Sequence, residues 1–152
     1  MANPPCPCGS GLRLHLCCGP YLRGDREPPD AEALMRSRFS AFALRNVDHL
    51  WRTLHPAHPD RQGDEATARK EIAEAARNQR FLRLTILDRR LGTPVETSLV
   101  LFHARIFQAG REQSFVEAST FRHDGTGWRY LSGDLRPPQP GWEKLTLADF
   151  DR

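Results

Sequence analysis

All four cysteines of this 152-residue chain fall within its first 18 positions. Core-filling cysteines scatter along a chain, and the disulfides of small secreted domains span the fold, so a cluster at one end needs a local explanation. The motif reads Cys6-Pro7-Cys8-Gly9-Ser10-Gly11, then Leu12 to Leu16, then Cys17-Cys18. Two near-adjacent pairs on two short turns can supply the four thiolates of a tetrahedral Zn²⁺ site, at metal–sulfur distances of about 2.3 Å. Gly9, Ser10 and Gly11 let the backbone fold over the metal with N–H groups aimed at sulfur, and Arg13 and Arg23 are placed to offset thiolate charge. Leu12 to Leu16 fits one helical turn that returns Cys17 and Cys18 to the site. His15 reads as a surface residue, with replacement of one cysteine ligand as the alternative. Zinc leads as the cofactor; iron also accepts four thiolates and stays open. A disulfide between neighbours Cys17 and Cys18 would be strained, and no Cys-x-x-Cys on a βαβ unit is present. Four protein ligands close the coordination shell, which makes the site structural rather than catalytic.

The segment 1–24 is rich in proline and glycine and too poor in large apolar side chains to form a core. Pro28 and Pro29 interrupt helix, and Asp30 is placed as the cap of a helix that begins at Ala31. Met35, Phe39 and Phe42 form one apolar stripe on that helix. Val47, Leu50, Trp51 and Leu54 fit a second, short helix that stops before Pro56, with Trp51 in the core. His55 to Asp60 must be a loop, and an Ala-rich third helix runs from about 64 to 78 with Ile72 as its large apolar residue. Beyond Gln79 the period becomes two: Leu82, Leu84 and Ile86; Val100, Phe102, Ala104 and Ile106; Phe115, Glu117, Ser119 and Phe121; then Trp128 and Tyr130 after the turn Asp124-Gly125-Thr126-Gly127. Gly133 and the run Arg136 to Gly141 are expected to end regular structure, leaving a loosely attached tail. Helices followed by strands predict an α+β fold, a helical layer on a curved four-stranded antiparallel sheet that encloses a pocket. The expected organisation is a knuckle at 1–24, an α+β unit at 30–140 and a tail at 141–152.

Net charge is +3, and Lys70 and Lys144 are the only lysines among the 22 basic residues. This mild excess argues little for nucleic acid. No apolar run approaches the roughly 20 residues of a membrane span. The first residues, Met1-Ala2-Asn3-Pro4-Pro5, lack the basic start and apolar stretch of a signal peptide, so a cytoplasmic protein is expected.

Cys-Pro-Cys-Gly-Ser-Gly followed by Cys17-Cys18-Gly19 resembles the SEC-C motif, the zinc knuckle at the C-terminal tail of the SecA translocation ATPase and on many bacterial proteins. That resemblance implies zinc on Cys6, Cys8, Cys17 and Cys18 and a surface that docks onto a protein partner. The likeness extends to Cys17-Cys18-Gly19-Pro20-Tyr21, the run Ala31 to Phe42, His55-Pro56, Glu117-x-Ser119-x-Phe121 and Gly127-Trp128-x-Tyr130, which together resemble the YchJ-like family of bacterial proteins. The family joins a SEC-C knuckle to a cystatin-like cone similar to nuclear transport factor 2 (NTF2-like). Two departures stand out: Val116 occupies a position where members often carry histidine, and the tail has no second cysteine knuckle.

Candidate pocket residues are Arg36, His55, Glu117, Ser119 and Tyr130. A carboxylate held in a partly dry cavity has a raised pKa, which suits a general base. The plainer alternative pairs Glu117 with Arg36 or Arg38. His55 and His58, with Asp60, either hold a metal or shuttle a proton, or belong to a rigid solvated loop. No Ser-His-Asp signature, phosphate-binding glycine loop or HExxH stands out. The first functional reading is therefore a module that binds a protein partner through the knuckle and a small ligand in the cone. A small lyase or isomerase with Glu117 as base is the second. A contact with RNA or the ribosome through Arg13, Arg23 and Arg26 is the third, weakened by Asp25, Glu27 and Asp30. A homodimer through the sheet face is an analogy from the shape.

Overall fold

The computed structural model describes residues 3–151. The first ordered unit is a tight hairpin: Cys6 N–H donates to the Leu12 carbonyl at 2.9 Å and Leu14 N–H to that of Pro4 at 2.9 Å. Gly9 and Gly11 turn it at φ 78° and 88°, a backbone region that other residues seldom adopt. A 3₁₀ turn at Leu14–Leu16 and the short helix α1, Gly19–Leu22, bring Cys17 and Cys18 back to Cys6 and Cys8.

Three longer helices come next, each started by a side-chain cap. In α2, Ala31–Leu44, Asp30 accepts from Ala33 N–H at 2.8 Å. In α3, Val47–Arg52, Asn46 accepts from His49 N–H at 3.0 Å, and in α4, Glu65–Asn78, Asp64 accepts from Thr67 N–H at 2.9 Å. Strands β1 (Arg80–Arg90), β2 (Ser98–Gln108), β4 (Phe115–His123) and β5 (Trp128–Arg136) form an antiparallel meander in the order β1-β2-β4-β5, and the two-residue β3, Arg111–Glu112, pairs with the end of β2. The expected α+β arrangement of helices on a curved antiparallel sheet is the observed one.

Three bulges depart from strict alternation, two in β1 and one in β5; the second in β1, between Ile86 and Asp88, leaves Leu87 unpaired. In β1 the register slips between Phe81 and Arg83, so Leu82 has no partner and is 47% exposed. Phe81 takes the inward position instead, stacked on Phe42 with ring centroids 4.9 Å apart. In β5 the slip opposite Thr120 and Phe121 leaves Leu131 unpaired. An extra residue in one strand reverses the alternation beyond it, so Tyr130 and Gly133 share the inner face despite being three apart. Nor does Gly133 end the strand: β5 pairs with β4 as far as Arg136.

The inner faces of β2 and β4 pack on α2 around Phe39, Leu34, Val100, Phe102 and Phe121, with Trp128 buried beside them. Cys6, Cys8 and Cys18 belong to the same apolar cluster. Trp51 is only half-buried, lying under the Arg61 guanidinium at 4.6 Å. The tail is not loose. Leu147 packs on Leu101 and Ala118 of the outer sheet face, its N–H donates to Asp88 at 2.8 Å, and Trp142 stacks on His103 at 3.7 Å. The reason is that the outer face carries apolar side chains that need cover. No helix among the described residues is long and apolar enough to cross a membrane.

Candidate metal centre and ligand cavity

The four cysteine sulfurs lie within 4.8 Å of one another, with Cys8 and Cys17 at 3.6 Å. A tetrahedron of thiolates about 2.3 Å from a central ion places its sulfurs about 3.8 Å apart, so this donor set fits a metal ion. Hydrogen bonds from Cys18 and Cys8 hold the Cys6 thiol well below its ordinary value, and Cys18, which donates to both Cys6 and Cys8, is driven upward. Burial raises Cys17 to about 11. Four thiols crowded in this way resist collective ionisation until a cation balances their charge.

The neighbours of the sulfurs differ from the sequence expectation. The Cys8 backbone N–H faces the Cys6 thiol and helps to lower it, whereas the N–H groups of Gly9, Ser10 and Gly11 make no bond to sulfur among the described residues; the Ser10 hydroxyl reaches Cys17 Sγ at 3.1 Å and the Ser40 hydroxyl reaches Cys6 Sγ at 3.5 Å. Arg13 binds the Asn3 carbonyl and Arg23 pairs with Asp25, so neither serves the thiolates. Arg36 does: its Nη1 donates to the Cys8 carbonyl at 3.1 Å and lies 3.9 Å from Cys8 Sγ. His15 is exposed and outside the donor group.

The second site is a cavity of about 440 Å³ between α2, α4 and the inner sheet face. Its walls are Met35, Phe39, Phe42, Phe81, Phe102 and Phe115. On its floor Glu117 is 6% exposed. The Tyr130 hydroxyl donates to Glu117 Oε2 at 2.8 Å, and the Ser119 hydroxyl donates to the same oxygen. Gly133 makes room for this arrangement, because a methyl there would come within 2.6 Å of the Tyr130 hydroxyl and overlap the carboxylate. Burial pushes the Glu117 carboxyl above the usual carboxylate range; the two hydroxyl bonds and the Arg38 charge oppose that rise. Burial and the Glu117 charge push the Tyr130 hydroxyl upward, so it stays a donor.

Arg38 is buried too, and burial lowers it to about 10. Its Nη1 donates to the Leu50 carbonyl at 3.0 Å and to Thr53 at 2.7 Å, and its guanidinium lies 4.8 Å from the Tyr130 ring centroid. Glu117 thus feels a cation nearby, yet among the described residues neither Arg36 nor Arg38 forms an ion pair with it. The expected pairing is absent because α2 sends Arg36 to the cysteine cluster and anchors Arg38 on α3.

The model of the YchJ middle NTF2-like domain matches residues 30–133. The chain belongs to the YchJ family. A UPF0225 protein of Enterobacter sp. (strain 638) is 37% identical to it over 128 residues, 84% of this chain and 81% of the relative. The YchJ protein of Shigella dysenteriae is 34% identical over 128 residues, with the same coverage of 84% and 81%. The solution structure of a SEC-C motif containing protein from Rhodopseudomonas palustris superposes with a TM-score of 0.70 at 35% identity, covering 85% of this chain and 96% of that one. A crystal structure of a SEC-C motif containing protein from Psychrobacter arcticus, 24% identical, shares the fold with a TM-score of 0.68 over 88% of this chain and 84% of that one.

Within this YchJ-family cone, the structure brings Glu117, Ser119 and Tyr130 together and leaves Arg36 and His55 out. Arg36 belongs to the cysteine cluster, and His55 N–H donates to the Tyr130 carbonyl at 2.9 Å, with its ring outside the cavity. His55 Nδ1 and His58 Nδ1 each accept a backbone N–H two residues ahead, at 3.0 Å, so they stiffen their own loop. Gly133 and most of the aromatic wall were not candidates from sequence, and Arg38 was one only as an ion-pair partner of Glu117. The Met35, Phe39, Phe42 stripe was the signal for part of that wall, since one helical face can line a cavity as readily as fill a core.

Proposed function

We propose that this YchJ-family chain is a ligand-binding protein in two parts: a zinc knuckle on Cys6, Cys8, Cys17 and Cys18 that docks to a protein partner, and a cone that takes a small, largely apolar ligand. The observation that carries the reading is the cavity of about 440 Å³, apolar on its walls and polar at its floor. Sites of this size with a few convergent polar groups are characteristic of small-molecule recognition. When bound, the ion would supply the knuckle's folding energy, with Cys6, Cys8, Cys17 and Cys18 as its holders. Leu12 and Leu16 are exposed on the knuckle, 52% and 67%, which supports docking there.

The test is uptake of the neutral fluorescent probe N-phenyl-1-naphthylamine. Wild type should enhance its emission, and Ala104→Trp, which fills the cavity from β2, should not. Equal enhancement by both proteins would refute the reading. Metal analysis of the dialysed protein should give one zinc per chain.

A specific observation favours a second reading, a lyase or isomerase. Glu117 is buried, has no ion pair among the described residues and is raised in pKa, which are the attributes of a general base. A near-neutral pKa from the NMR titration of its side-chain carboxyl carbon would support this reading, and an ordinary value would remove it.

A further inference from the structure

The polarity of the cavity specifies its ligand further. Both hydroxyl donors on the floor, Ser119 and Tyr130, point at one oxygen of Glu117, Oε2. The other oxygen, Oε1, receives no hydrogen bond among the described residues, and it is not sealed either: the buried side-chain polar atom without a partner is Nδ1 of His103, on the opposite sheet face. Oε1 therefore opens onto the cavity. A carboxylate oxygen facing aromatic walls is satisfied only by a donor, and leaving it without one costs more than any gain in apolar contact there.

Charge narrows the choice. Among the described residues, Arg38 and Glu117 are the charged groups lining the cavity, one of each sign. A cationic ligand at the floor meets Arg38, and an anionic one meets Glu117. The rim is neutral, with the side chains of Gln79, Gln108 and Gln113. For size, about 150 Å³ of apolar cavity accepts one benzene. This cavity, about 440 Å³, has room for two or three fused rings.

We infer that the cone takes an uncharged, fused-ring compound that presents a hydroxyl to Glu117 Oε1. This rests on the ligand-binding reading above and names its substrate class. The geometry also sets the order of binding groups: hydroxyl at the floor, rings between Phe39, Phe81, Phe102 and Phe115, and any second neutral polar group at the glutamine rim.

The test is calorimetric titration of the full chain, at about pH 8, where the raised carboxyl is more ionised than in weak acid, with four matched probes: 2-naphthol, 2-methoxynaphthalene, 2-naphthoate and 2-naphthylmethylamine. 2-Naphthol should bind about tenfold more tightly than its methyl ether, the factor expected for one hydrogen bond to a charged group. The anion and the cation should both bind more weakly than the naphthol. Glu117→Gln keeps the side-chain shape but turns an amide N–H toward the cavity, so it should erase the preference and favour 2-acetonaphthone, which offers a carbonyl. Equal binding of naphthol and ether by wild type, lost in Ala104→Trp, would overturn the hydroxyl assignment while leaving the ligand-binding reading in place. A preference for naphthol that survives Glu117→Gln would also overturn it. Binding of no probe would overturn both.

Discussion

Replacing Gly133 with alanine tests the floor of the cavity directly. Gly133 pairs with Ser119 across the β4–β5 ladder, and its φ is not among the positive values, so the backbone itself tolerates a side chain. The cost is contact. The added methyl would stand within 2.6 Å of the Tyr130 hydroxyl and overlap the Glu117 carboxylate. Forcing a methyl into a packed site costs about 1–3 kcal/mol. Displacing the carboxylate also loosens at least one of two hydroxyl bonds to a charged oxygen, each about 1.5–3 kcal/mol. The sum is about 3–5 kcal/mol, which for a chain of this size lowers the melting midpoint by about 10 °C. Urea and thermal unfolding followed by circular dichroism measure it. In the Gly133→Ala background, Glu117→Ala should recover part of the loss, because the clash partner is gone, giving a double mutant that loses less than the sum of its singles. A Gly133→Ala protein within about 0.5 kcal/mol of wild type, or strictly additive singles, would refute the packing argument.

Three further outcomes are expected from the same geometry. The folded-state pKa of Glu117 is raised, so its contribution to stability is fully present below the unfolded carboxylate value and is lost as pH rises through the folded value. Wild type should therefore lose stability relative to Glu117→Gln between weak acid and neutrality, read as urea midpoints; a difference constant with pH would contradict this. Cys8→Ser should abolish bound metal by elemental analysis and lower the melting of the whole chain, because Cys6, Cys8 and Cys18 share a core with Leu34 and Phe39; a second, unshifted transition of the cone would count against that coupling. Arg129, whose side chain is 6% exposed, pairs with Glu27 at 2.9 Å and Asp124 at 3.0 Å. Arg129→Ala should cost about 2–3 kcal/mol in urea titration by leaving both carboxylates uncompensated, and a loss under about 0.5 kcal/mol would mean that the segment between α1 and α2, which carries Glu27, is not held there.

The cysteine spacing by itself anticipated the cluster of four sulfurs. Cysteines so close in sequence can meet through local turns, and Gly9 and Gly11 supply the positive φ those turns use. Period and caps likewise determined the helices and the meander, since Asp30, Asp64 and the two-residue alternation act over a few neighbouring positions. The assignment of partners came from the tertiary structure. Arg36 and Arg38 are two residues apart on α2 and were equivalent candidates for Glu117, yet the helical rotation between them sends one to Cys8 and the other to Thr53. The bulge at Leu131 brought Gly133 onto the inner face with Tyr130, and no periodic rule anticipates a single unpaired residue. The tail found its place because the outer face of β2 and β4 had apolar residues to cover, a demand that exists only once the sheet is assembled. Local geometry is written in neighbouring residues; the surroundings of Glu117 depend on segments tens of residues apart, and only the closed fold sets them.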